Sequence, residues 1–186
     1  MALGTFRCMA LALALPGVAA AQKTQLLKSS DYTLQVTELN AELQSPWGMA
    51  FLPDGRQLVT EKNGHLRILD QNWKLQPEAV ADTPPVVVSS QGGLLDVAPE
   101  PDFEKSGWIY LSYSAPAPGD SKIAMTKISR GRIADNKWID EETIFEADPK
   151  HYTKSGVHFG SRIVFDRGHV FFSIGERGDK DKAQDI

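Results

Sequence analysis

Gly48-Met49-Ala50-Phe51-Leu52-Pro53-Asp54-Gly55, running on into Leu58-Val59-Thr60, is the stretch on which the fold turns. An apolar run of strand length meets a Pro-Asp-Gly turn and a second apolar run follows. That is the pattern of an antiparallel strand pair, whereas a helix would space its apolar residues three and four apart. The unit then returns twice. Gly93-Leu94-Leu95-Asp96-Val97-Ala98 leads through Pro101-Asp102-Phe103 to Trp108-Ile109-Tyr110-Leu111-Ser112. Gly160-Ser161-Arg162-Ile163-Val164-Phe165-Asp166-Arg167-Gly168 leads to Val170-Phe171-Phe172-Ser173.

The turn aspartates Asp54, Asp102 and Asp166 stand 48 and 64 positions apart, and propeller blades run about 40 to 50 residues each. The wider step predicts inserted length, which Ala115 to Asp120 and the polar stretch Asp148 to Ser155 would supply. Gln57 to Glu61 and His65 to Leu69 flank Lys62-Asn63-Gly64, a hairpin signal, and Leu34 to Leu39 alternates as a strand does. A sandwich also uses short strands and tight turns but does not require a repeated unit. The repeat therefore favours an all-β propeller. Because each blade buries its faces on its neighbours, about three units followed by the polar Gly178 to Ile186 predict an incomplete set of blades, the N-terminal part of a longer propeller domain over residues 22–186.

The first 21 residues read differently. Arg7 precedes an apolar run from Cys8 to Leu15, and Ala19-Ala20-Ala21 closes on small residues, which is a secretion signal with cleavage expected after Ala21. The apolar run is shorter than the about 20 residues a membrane-spanning helix needs. Cys8 opens that run rather than following it, which argues against a lipid anchor. A periplasmic or secreted location is expected. Removing the segment removes the single cysteine, so the remaining 165 residues offer no disulfide and no thiolate for a metal.

Those residues carry a formal charge of −5. Phosphate neutralisation needs a concentrated basic surface, and the nearest basic run, Lys180 to Lys182, is interleaved with Asp179 and Asp181. Nucleic acid is thereby excluded as a partner class. Nicotinamide, nucleotide and zinc-protease chemistry lack their Gly-x-Gly-x-x-Gly, phosphate-loop and His-Glu-x-x-His signatures. The acidic loop Glu176 to Asp181 lacks the ligand spacing of a calcium loop and reads as solvated.

Of the four histidines, His65 and His169 fall in turns and His151 in a charged loop, which are surface positions. His158 stands two residues before Gly160, where an irregular loop enters a strand, and such junctions carry functional groups. Its imidazole is a natural proton acceptor near neutral pH, although a structural role is open to it as well. Gln91 holds the corresponding place before Gly92-Gly93. Its amide both donates and accepts, which suits sugar hydroxyls or quinone carbonyls, or equally a turn bonded to its own loop.

Three segments in order carry a family resemblance: Ser45-Pro46-Trp47-Gly48-Met49-Ala50-Phe51-Leu52-Pro53-Asp54-Gly55, Gln91-Gly92-Gly93-Leu94-Leu95-Asp96-Val97, and His158-Phe159-Gly160-Ser161-Arg162-Ile163-Val164-Phe165. With Pro101-Asp102-Phe103 and Gly175-Glu176-Arg177-Gly178 between and after them, the chain resembles the glucose/sorbosone dehydrogenase family, in its soluble aldose sugar dehydrogenase branch. The resemblance implies a six-bladed propeller, pyrroloquinoline quinone (PQQ) as cofactor, an aldose oxidised at C1 to its lactone, and a periplasmic electron acceptor. It implies His158 as general base and Gln91 against substrate and quinone, while Arg162 either supports the site or, from its strand, points elsewhere. Val157 stands where some glucose-oxidising relatives carry Asp, which favours the broader aldose branch. The family's cofactor-clamping basic residues and calcium ligands lie in later blades, so no metal ligand is assigned here. The alternatives are a non-catalytic propeller that binds carbohydrate or protein, and a metal-dependent lactonase, for which no converging carboxylates are evident.

Overall fold

A computed structural model describes residues 23–184; the expected signal segment and its cleavage point lie outside them. The chain divides into a short unit ending at Leu39 and a larger one beginning at Asn40. In the first, β1 (Thr24–Lys28) and β2 (Thr33–Thr37) form an antiparallel hairpin in which Thr24 pairs with Thr37 and Lys28 with Thr33.

Among the described residues the larger unit is all-β apart from a single turn of helix and two short 3-10 turns. Its first sheet joins β3 (Pro46–Phe51), β4 (Gln57–Glu61) and β5 (Leu66–Leu69) in chain order. The second joins β6 (Leu94–Pro99), β7 (Ile109–Ala117), β8 (Asp120–Ala134) and β9 (Lys137–Phe145). The third pairs β10 (Gly160–Asp166) with β11 (His169–Ile174). Each sheet opens at one of the repeated units, and the fold is that of about three consecutive propeller blades. The extra length of the second repeat goes into the long β7–β8 hairpin, into β9, and into the loop where Thr153 bridges to Ala124. Both predicted insertion points fall within this region.

Packing between the sheets explains the composition of the strands. Leu58, Leu66 and Ile68 of the first sheet share a core with Leu94, Val97, Ile109, Leu111 and Tyr113 of the second. Tyr110 and Ile128, on the other face of the second sheet, pack against Ile163 and Phe165 of the third. A strand with both faces buried reads as a continuous apolar run, which is why Trp108 to Leu111 shows no alternation.

The same bulge recurs in all three sheets. Two residues of the first strand oppose one of the second between Pro46 and Met49, between Leu94 and Val97, and between Gly160 and Ile163. A bulge turns an amide off the ladder, and each time a hydroxyl receives it. Gly48 N donates to Thr60 Oγ1 at 2.9 Å, Asp96 N to Ser112 Oγ at 2.8 Å, and Arg162 N to Ser173 Oγ at 3.3 Å. The first two hydroxyls donate onward to the next sheet, Thr60 to the carbonyl of Leu95 and Ser112 to that of Ser161. Those carbonyls occupy equivalent bulge positions, so one polar latch repeats from blade to blade within an apolar interface.

Candidate functional site

The loops that lead into β6 and β10 meet, and the segment after β11 closes on the second of them. Gln91 N donates to the carbonyl of Gly156 at 2.8 Å, and His158 N donates to Gln91 Oε1 at 2.8 Å. The two residues singled out from the sequence thus touch, one through its side chain and the other through its backbone. The approach is close enough to require glycine: a Cβ on Gly92 would stand 2.9 Å from the Phe159 ring. Phe159 itself is buried with Leu95 and Ala124, and Thr126 Oγ1 donates to its carbonyl at 2.6 Å.

His158 has a φ of +52°, a left-handed conformation that costs a residue with a Cβ about 1 kcal/mol. Neighbours on three sides hold it there. Gln91 takes its N–H, the Arg177 guanidinium takes the carbonyl of Val157 at 2.9 Å, and Glu176 Oε1 is bonded to its Nδ1. The imidazole is about half exposed. A carboxylate on Nδ1 selects the tautomer whose proton sits there and leaves the Nε2 lone pair as the acceptor. The hydrogen bond from His158 in turn holds the Glu176 carboxyl below its ordinary value, with desolvation acting the other way. Gly175 lets the segment in, since a Cβ there would lie 1.9 Å from the His158 carbonyl.

Glu176 and Arg177 correct the reading of their stretch as a solvated loop. Arg177 is only 7% exposed, and burial pushes its guanidinium down to about 10. The signal for both was the pair of glycines, Gly175 and Gly178, that brackets them; two residues between glycines can be drawn against a neighbouring backbone. A cleft of about 870 Å³ borders Glu176 and is lined by Met125, His151, Thr153 and Ile174.

Arg162 points elsewhere. Its Nη1 lies 3.0 Å from Oδ1 of the buried Asp96, whose Oδ2 receives Ile163 N at 2.9 Å, so the pair ties the third sheet to the second. His65 and His169 are exposed, with Nδ1 of His65 3.4 Å from Glu61 and Nδ1 of His169 3.1 Å from the Arg167 carbonyl. Among the described residues no group of three or more His, Cys, Asp or Glu side chains is placed to hold a metal ion. No helix among them is long and apolar enough to cross a membrane.

Comparison with known proteins matches residues 43–186 to the family model described as Glucose / Sorbosone dehydrogenase. The chain is 41% identical over 158 residues to aldose sugar dehydrogenase YliI of Escherichia coli, a match that takes in 83% of this chain and 41% of that protein. It superposes on the soluble aldose sugar dehydrogenase of Escherichia coli, solved in its apo form, with a TM-score of 0.71 and 40% identity over 80% of this chain and 42% of that one. The PQQ-bound aldose sugar dehydrogenase of Streptomyces coelicolor gives a TM-score of 0.67 at 24% identity, over 90% of this chain and 46% of that one, a likeness of fold. The chain thus spans less than half the length of each.

Proposed function

The chain belongs to the glucose/sorbosone dehydrogenase family, and from that premise we propose that it supplies the proton-accepting half of a sugar dehydrogenase that oxidises aldoses at C1. The observation that carries this reading is the placement of His158. Its backbone is fixed by Gln91 and its Nδ1 by Glu176, which leaves Nε2 as a base with a defined tautomer on a half-exposed ring. An oriented imidazole of that kind is what general base catalysis requires.

In the proposed reaction His158 Nε2 takes the proton of the C1 hydroxyl while the C1–H bond breaks with its electron pair, and a C1–O double bond forms to give the lactone. Glu176 stabilises the imidazolium that results. A bound PQQ would supply the electrophilic carbonyl carbon that receives the hydride. The residues present fit one edge of such a group: the Gln91 amide nitrogen is a donor suited to a quinone or sugar oxygen, since its Oε1 is already engaged by His158. The proposal extends to export, directed by the first 21 residues, and to an electron acceptor in the same compartment.

The test of the chemistry is isotopic. Deuterium at C1 of the aldose should slow turnover by the product of the whole reading frame, with the lactone as first product. Oxidation at another carbon, or release of free aldonic acid with no lactone intermediate, contradicts the proposal.

A further inference from the structure

We infer that Arg177 is a positioning residue for His158, holding the loop beneath the imidazole in the one conformation that lets Glu176 reach Nδ1. The inference rests on the reading of His158 as the proton acceptor. Arg177 spreads its donors over three backbone carbonyls. Nε donates to Val157 at 2.9 Å, Nη1 to Ala124 of β8 at 3.1 Å, and Nη2 to Ser155. Its Cζ sits 3.5 Å from the centroid of the Phe159 ring.

This is an unusual use of a buried cation. Removing a guanidinium from water is costly, and a carboxylate is its ordinary compensation. Among the described residues the partners of Arg177 are carbonyls, the Met125 thioether and an aromatic face instead. A planar fork can satisfy several acceptors only when they are held in fixed relation. Here those acceptors are the two loop carbonyls just before His158 and one carbonyl of the rigid β8 strand, while the ring beneath belongs to the residue just after it. The contacts therefore bracket His158 and tie it to the sheet. Arg177 is itself left-handed, with φ +60°, and it follows Glu176 directly. One segment thereby delivers the carboxylate to the ring and the guanidinium to the backbone under it.

The role is separable from simple stability by exchange for lysine, which keeps the charge and the stem but cannot fork. In the product of the whole reading frame, Arg177→Lys should stay folded and lower kcat by about tenfold or more with KM little changed, because a displaced base slows the chemical step without loosening substrate. Phe159→Leu, which removes the ring under the guanidinium, should act in the same direction. The ring carbon signals of His158, followed by NMR, should shift and broaden in both variants. Wild-type kcat together with unchanged His158 signals in Arg177→Lys would overturn the inference, as would a loss of activity that follows only the unfolded fraction. If the wild-type protein shows no turnover, the reading of His158 as base has failed, and the His158 signals alone then decide whether Arg177 positions the ring.

Discussion

The backbone N–H of His158 donates to the side-chain carbonyl of Gln91 across 2.8 Å, joining loops that are 67 positions apart in sequence. That bond makes the amide of Gln91 a support for the histidine. Replacing Gln91 by leucine keeps the bulk and removes the acceptor, which takes from the His158 N–H its protein partner at a net cost of about 0.5–1.5 kcal/mol at this exposed position. Gln91→Leu should accordingly lower kcat/KM by about tenfold or more and speed amide hydrogen exchange at His158. Gln91→Glu, which retains an acceptor oxygen, should keep the exchange slow.

The His158–Glu176 contact carries a pH signature in stability. The folded-state value of Glu176 lies below its ordinary 4.5, chiefly because His158 hydrogen-bonds the carboxylate. A depressed carboxyl contributes stability that is fully present above the unfolded value and is lost as pH falls through the folded one. Thermal melts of wild type and Glu176→Gln should differ at about pH 4.5 and converge as pH falls below it. A gap that persists undiminished on acidification below that range would contradict the assignment.

The latch between blades predicts a pair of matched losses. Thr60→Val preserves shape but leaves the N–H of Gly48 and the carbonyl of Leu95 without their buried partner. Ser112→Ala does the same to Asp96 N and Ser161 O. Each should cost about 1–3 kcal/mol in denaturant unfolding. The two hydroxyls engage opposite ends of one peptide group, the Leu95 carbonyl and the Asp96 N–H, so their effects should couple rather than add.

Gly175→Ala tests the close approach that seats Glu176. The added methyl would fall 1.9 Å from the His158 carbonyl, and the segments would have to separate. Overpacking of this kind costs about 1–3 kcal/mol, so the melting temperature should fall together with activity. Gly168→Ala is the contrasting case, with open space for the methyl and a positive φ, a backbone strain that Gly175 does not carry.

Much of this architecture was legible in the residues themselves. The three glycine-led units became the first two strands of three sheets, and Asn63-Gly64 became the turn between β4 and β5. His158 and Gln91 stood out because each precedes a first strand, and the structure brings them into contact. The hydroxyl that closes each quoted unit, at Thr60, Ser112 and Ser173, was in view from the start. Its purpose was not, because a bulge is a property of pairing between strands and leaves no mark on either strand alone. Glu176 and Arg177 were hidden for a related reason. Charged residues in a glycine-bordered loop ordinarily face water, and only the fold shows that this loop is drawn against the carbonyls of residues 155 and 157.

The central claim is that His158 is the base of a quinone-dependent aldose oxidation, and dye-linked activity tests it most directly. The product of the whole reading frame, assayed with an artificial electron acceptor and aldoses, should turn over only when PQQ and calcium are supplied. His158→Ala should lower that rate by about 10²–10⁴-fold. Turnover without the cofactor, or turnover undiminished by His158→Ala, would contradict the account.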